Sequence, residues 1–294
     1  MQHFRGRVAF VTGGASGIGR GMVRAFLEEG MRVVVADWNA EHLSAAREQL
    51  AGPGSIHFIR MDVANRADWA AAAQETLGVF GALHVLCNNA GVGGGRAADD
   101  PDFADWDRTL AINLGGVVNG VKVMAPLLKA HGEGGHIVNT ASAAALVPLP
   151  GDAAYSASKH AVKGFSESLR MALAPHGIGV SCLFPGMTRS ALLPLPADDA
   201  EAPAGPEGDY LCALWAAMRT AMDPLELGRQ VVQGIRANRF HLLTHAEFLP
   251  EVAHLHRELE AAFPANQAIP GPRAAFETVR RGMADNLLHG VAKD

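Results

Sequence analysis

The chain has 294 residues, 49% hydrophobic and 19% charged, which supports a sizeable core and argues against disorder. A net charge of −5 and a pI near 6.2 exclude a basic nucleic-acid binder and a surface built for anionic membranes. No uninterrupted apolar run approaches the roughly 18 residues of a spanning helix; with no apolar leader in Met1–Arg7 and three unpaired cysteines (Cys87, Cys182, Cys212), a cytoplasmic protein with reduced thiols is expected.

Six short apolar runs read as strands: Arg7–Thr12, Arg32–Asp37, Ile56–Met61, His84–Cys87, Gly135–Thr140 and Gly179–Phe184. Helical spacing fills the intervals Arg20–Gly30, Glu41–Ala51, Arg66–Phe80, Phe103–Ala130 and Tyr155–His176. Strands without polar alternation, separated by helices, imply a doubly wound parallel α/β sheet, a Rossmann fold in three α/β/α layers.

The first strand runs into Thr12-Gly13-Gly14-Ala15-Ser16-Gly17-Ile18-Gly19 and then a helix. Glycines there permit a tight turn and close backbone approach to a pyrophosphate, which the helix N-terminus attracts. The spacing is G-x-x-x-G-x-G, and its place at the first strand–helix junction points to a nucleotide. The second strand ends at Asp37, 18 residues beyond Gly19. A carboxylate there accepts hydrogen bonds from adenosine ribose hydroxyls and repels a 2′-phosphate. Its neighbours Ser16 and Trp38 are not the basic residues such a phosphate needs, so NAD is expected rather than NADP. Asp62-Val63, closing the third strand, is placed to hold the adenine.

Tyr155 and Lys159 lie four residues apart on one helix face. A phenol with pKa near 10 is a poor base at neutral pH, and an ammonium one turn away favours the phenolate. Ser142 lies just past the fifth strand, at the edge where such sheets bind ligands, and can orient a substrate oxygen.

In order and spacing, residues 5–190 resemble the short-chain dehydrogenase/reductase family, through Thr12–Gly19, Asp37, Asp62-Val63, Asn88-Asn89-Ala90-Gly91, Asn113, Ser142, Tyr155, Lys159 and Pro185-Gly186. The resemblance implies a catalytic tetrad of Asn113, Ser142, Tyr155 and Lys159. Tyr155 would be the acid/base and Ser142 would position the substrate oxygen. Lys159 would lower the tyrosine pKa and hold the nicotinamide ribose, while Asn113 would hold a proton-relay water. It also implies cofactor contacts from Gly13, Ser16, Gly17, Ile18, Gly19, Asn89, Gly91, Pro185, Gly186 and Thr188, the last to the nicotinamide carboxamide. Asn139-Thr140-Ala141 stands where the family often has serines. The resemblance further implies a homodimer or homotetramer assembled through the helices Phe103–Ala130 and Tyr155–His176.

From about residue 187 to 222 the alternation breaks into a proline-rich, acidic stretch. Leu192, Leu193, Leu195, Leu211, Leu214, Trp215 and Met218 then suggest a substrate lid with an apolar underside. Asp223-Pro224 opens another helix, to about Asn238, and Phe240–Thr244 reads as a last strand. The expected organisation is one domain over 1–249, lid included, and a helical extension over 250–294. His241-Leu242-Leu243-Thr244-His245-Ala246-Glu247-Phe248 and the helix after it look like the C-terminal region of bacterial lignin aryl-ether Cα-dehydrogenases.

The 13 histidines show no HExxH or paired metal spacing, so no metal is expected, and His241, His245, His254 and His256 read as surface or helix residues. No G-x-S-x-G elbow supports a serine hydrolase. The expected activity is NAD-dependent interconversion of a small-molecule secondary alcohol and a ketone, with no nucleic-acid or membrane partner. An apolar lid favours a bulky, neutral substrate, aryl or alicyclic. A catalytically silent NAD-binding sensor or structural subunit is the rival reading. Sugar-nucleotide epimerase or dehydratase chemistry would call for a larger C-terminal domain.

Overall fold

A computed structural model of the chain describes residues 1–50, 54–93, 98–99, 102–149, 151–190, 192, 205–265 and 267–289. The amino-terminal third alternates strictly: β1 (Val8–Thr12), α1 (Gly17–Glu28), β2 (Arg32–Asp37), α2 (Ala40–Gln49), β3 (Ile56–Arg60), α3 (Arg66–Phe80) and β4 (Val85–Asn88). After it come α4 (Phe103–Leu110), α5 (Gly116–Ala130), β5 (Gly135–Thr140), α6 (Ala153–Leu173) and β6 (Ile178–Phe184). The chain continues through α7 (Pro206–Arg219), α8 (Pro224–Arg236), β7 (His241–Leu243), α9 (Leu249–Ala261) and α10 (Gly271–His289).

The seven strands form one parallel sheet in the order β3-β2-β1-β4-β5-β6-β7. Winding outward from β1 in both directions opens a crevice between the carboxyl ends of β1 and β4. Alternate strand residues face opposite layers. Val8, Phe10, Val34 and Leu86 pack with Trp69 of α3, Met124 of α5 and Val162 of α6. Ala9, Val11, Val33 and Val85 pack with Met22 and Phe26 of α1 and Leu227 and Val231 of α8.

Polar side chains start the helices as their sequence positions suggest. Asn39, Asn65, Asp102, Asp152 and Asp223 each accept a first-turn backbone N–H.

One expected element differs. The run Phe103–Ala130 reads as a single helix, but a π-turn over Ala111–Gly115 separates α4 from α5. The extra residue in that turn rotates Asn113 out of the ordinary helical register, and its side chain is buried. By length and composition this run is apolar enough to cross a membrane. Here Val117, Val121, Met124 and Leu128 lie in the core beneath the sheet.

Candidate active site

At the carboxyl end of β1, Gly13 adopts φ +61°, in the left-handed region open to glycine. Gly19 is constrained by space instead: a Cβ there would lie 2.0 Å from the Gly13 carbonyl oxygen and 2.7 Å from Asn89 Nδ2. Ser16 is the N-cap of α1 and makes no side-chain cap, which leaves the first turn with Gly17 and Ile18 to receive a phosphate. The Thr12 hydroxyl accepts from Asn89 N–H at 2.9 Å and Ala90 N–H at 3.0 Å, while Asn89 Nδ2 donates to the Thr12 carbonyl at 3.0 Å. These bonds lock the two strand ends that frame the crevice.

A cavity of about 360 Å³ opens beside this turn, lined among others by Gly13, Asp37, Asp62, Val63 and Gly91. Asp37 is buried, and its carboxylate accepts from Ala15 N–H at 3.3 Å and Asn39 N–H at 3.1 Å, which fixes it against the cavity wall. Asp62 accepts from Ala64 N–H at 2.9 Å. A cradle in which a Cβ at Gly19 would strike backbone, with a fixed carboxylate at the end of β2, fits an NAD adenosine and pyrophosphate. Ser142 and Tyr155 do not line this cavity; Gly91 joins the two regions. A Cβ at Gly91 would lie 3.2 Å from Asn113 Oδ1 and 3.3 Å from Lys159 Nζ.

The structure brings Asn113, Ser142, Tyr155 and Lys159 to the ends of β4 and β5. Asn113 Oδ1 accepts from Val92 N–H at 2.8 Å, and its Nδ2 donates to the Val92 carbonyl at 2.9 Å and to Ser158 Oγ at 3.0 Å. Its amide is thus engaged with protein. Ser142, buried, accepts from Ala144 N–H at 3.1 Å and hydrogen-bonds Tyr155. Tyr155 sits in the first turn of α6, where Asp152 Oδ1 accepts its backbone N–H at 3.0 Å. Lys159 Nζ lies 5.4 Å from the Tyr155 ring centroid and donates to the Thr140 carbonyl at 2.9 Å.

Burial pushes the Tyr155 phenol above its ordinary pKa; the Ser142 hydrogen bond pulls it down and the Asp152 charge raises it further. Burial also pushes Lys159 down to about 8. Lowering of the tyrosine pKa was expected from Lys159, yet the largest influence is burial, of opposite sign, and Ser142 is the group that opposes it.

Residues 7–198 match the short chain dehydrogenase family. The chain belongs to the short-chain dehydrogenase/reductase family. It is 30% identical over 286 residues to the C alpha-dehydrogenase of a Sphingobium species, covering 95% of this chain and 94% of that one. It is 32% identical over 244 residues to a 3-alpha-(or 20-beta)-hydroxysteroid dehydrogenase of Mycobacterium bovis, covering 83% and 87%. A short-chain dehydrogenase/reductase from Burkholderia phymatum, solved in complex with NAD, superposes with a TM-score of 0.79 at 32% identity, covering 92% and 100%. This short-chain dehydrogenase is an oxidoreductase acting on CH–OH groups.

In this dehydrogenase the departure at Asn139 has a structural partner set. Asn88 Nδ2 donates to Asn139 Oδ1 at 2.8 Å, and Asn139 Nδ2 donates to Ser166 Oγ at 3.0 Å, tying β4 and β5 to α6. Thr188 is buried and pairs through its backbone with Met222, next to α8. Leu211, Leu214, Trp215 and Met218 fall on the less exposed face of α7, with Met218 buried, whereas Leu193 and Leu195 lie outside the described residues. Arg189 forms an ion pair with Asp223, so its charge is already matched.

Two groupings escaped the sequence reading. His84, His131 and Glu133 converge at the opposite end of the sheet, their ligand atoms within 4.8 Å. His131 Nε2 meets the Leu83 carbonyl at 2.8 Å and its Nδ1 accepts from Glu133 N–H at 3.1 Å, while the Glu133 carboxylate pairs with Arg7. Those groups serve the lower ends of β1 and β4. The second is His245: unlike His254 and His256, exposed on α9, it packs against the loop after β6. No spacing rule links residue 245 to residue 186, so only the fold reveals it.

Proposed function

We propose that this dehydrogenase interconverts a bulky, neutral secondary alcohol, aryl or alicyclic, and its ketone, with Asn113, Ser142, Tyr155 and Lys159 as the catalytic tetrad. The observation that carries the chemistry is the half-buried Tyr155 phenol, hydrogen-bonded to the buried Ser142 beside a buried lysine. A bound NAD would supply the hydride acceptor or donor for the carbinol carbon. Gly13, Ser16, Gly17, Ile18 and Gly19 would hold its pyrophosphate, Asp37 its ribose, Asp62 and Val63 its adenine. Asn89, Gly91, Lys159, Pro185, Gly186 and Thr188 would hold its nicotinamide half.

Ser142 donates to the substrate oxygen and aligns it with Tyr155. In oxidation Tyr155 takes the hydroxyl proton; in reduction it gives a proton back to the carbonyl oxygen. Lys159, held by the Thr140 carbonyl, favours the phenolate as that proton moves. Asn113 sets the position of the backbone at Val92 on the far side of Gly91.

The substrate class rests on two observations. Arg189, a cation of the lid segment, is paired with Asp223, and a charged substrate buried without a partner is costly. The match to the Sphingobium C alpha-dehydrogenase extends over nearly both chains, including the segment after β7. A panel of benzylic, alicyclic and small hydroxy-acid substrates tests the reading. A higher kcat/KM for a small hydroxy acid than for every bulky neutral alcohol would refute it.

A further inference from the structure

The loop after β6, Pro185-Gly186-Met187-Thr188, is gripped by a histidine that belongs to none of the residues discussed as catalytic or cofactor-binding. His245 Nδ1 accepts from Gly186 N–H at 3.0 Å, and its Nε2 faces the Met187 carbonyl at 3.0 Å. A backbone N–H only donates and a carbonyl only accepts. With these partners Nδ1 is the acceptor and Nε2 the donor. The Thr244 hydroxyl also approaches Nδ1, at 2.8 Å, and the Phe184 carbonyl at 3.5 Å.

Packing makes this grip close. A Cβ at Gly186 would lie 2.7 Å from His245 Cγ and 2.6 Å from a ring carbon of Phe248, so only glycine lets the imidazole lie against the loop. The Met187 carbonyl also accepts from Met222 N–H at 3.0 Å, which joins the same loop to the strand pairing of Thr188. The loop is thus fixed from two sides, by the segment before α8 and by the segment after β7.

We propose that His245 is a positioning residue for the nicotinamide end of NAD, holding Pro185–Thr188 in place through both ring nitrogens. The proposal rests on the reading that Thr188 meets the nicotinamide. Loss of two hydrogen bonds to a loop that a ligand must find ordered lowers affinity for the part of the ligand that loop contacts, and for no other part.

ADP-ribose, which lacks nicotinamide, separates the two ends of the site. Calorimetric titration of NADH and of ADP-ribose into the full chain should find NADH weakened about tenfold in His245→Phe, which keeps a ring but has no hydrogen-bonding atoms, with ADP-ribose within about twofold of wild type. His245→Gln, which offers one acceptor and one donor, should stay nearer to wild type than His245→Phe for NADH. Unchanged NADH affinity in His245→Phe, a parallel loss of ADP-ribose affinity, or equal loss in the Phe and Gln variants would overturn the proposal. Thr188→Ala tests the parent reading separately: if it leaves NADH affinity intact, Thr188 does not meet the nicotinamide, whatever His245→Phe does.

Discussion

The Asn113 side chain and the Val92 backbone exchange two hydrogen bonds, 2.8 and 2.9 Å long, in the manner of a paired strand. The π-turn that carries Asn113 aims its amide at the loop after β4, next to Gly91 and Lys159. Asn113→Ala would leave the Val92 N–H and carbonyl without this partner, at about 1–3 kcal/mol for each group left buried. The expected result is a lower urea midpoint and a fall in kcat; an unchanged midpoint and kcat together would show the exchange to be dispensable.

Tyr155→Phe removes the proposed proton carrier but keeps the half-buried ring. Turnover should fall by roughly 10²–10⁴-fold, the usual size of acid–base catalysis, with NADH affinity retained. Steady-state rates and a binding titration on the same preparation check it. Near wild-type turnover would remove Tyr155 from the mechanism.

Asp37→Ala removes the fixed carboxylate at the end of β2, and with it the repulsion of a 2′-phosphate. Discrimination in favour of NAD should shrink, with NADP gaining in relative kcat/KM. A wild-type enzyme that prefers NADP would contradict the role given to Asp37.

The charge of Asp152 raises the Tyr155 pKa. Asp152→Asn keeps an oxygen to cap α6 and deletes the charge, so the phenol should ionise at lower pH. In the proposed mechanism alcohol oxidation needs the ionised phenol and rises with pH through that pKa. Its ascending limb should therefore move to lower pH in the variant, read from kcat/KM against pH. A shift to higher pH, or none, would mean that Asp152 does not act on Tyr155.

Strand and helix order, the glycine turn, Asp37 and the Tyr155–Lys159 pair were legible in the sequence because each depends on local spacing. Apolar runs mark buried strands, glycines mark the cradle, and residues four apart on a helix share a face. Asn113 was named by its position, but its π-turn was not, since the phase shift from one extra residue is small against the scatter of an ordinary apolar stripe.

Tertiary structure alone decided the environment of each group. Burial, which sums over distant elements, sets the direction of the Tyr155 and Lys159 shifts, and it opposes what their four-residue spacing suggests. Asn139 meets Asn88 and Ser166 only because β4, β5 and α6 pack together. His245 reaches Gly186 only because β7 lies beside β6, bringing residues 59 apart in sequence within a hydrogen bond of each other. Sequence patterns record which elements form, because local backbone preference and side-chain periodicity act over a few residues. Which side chains end up neighbours across those elements is fixed by sheet order and packing.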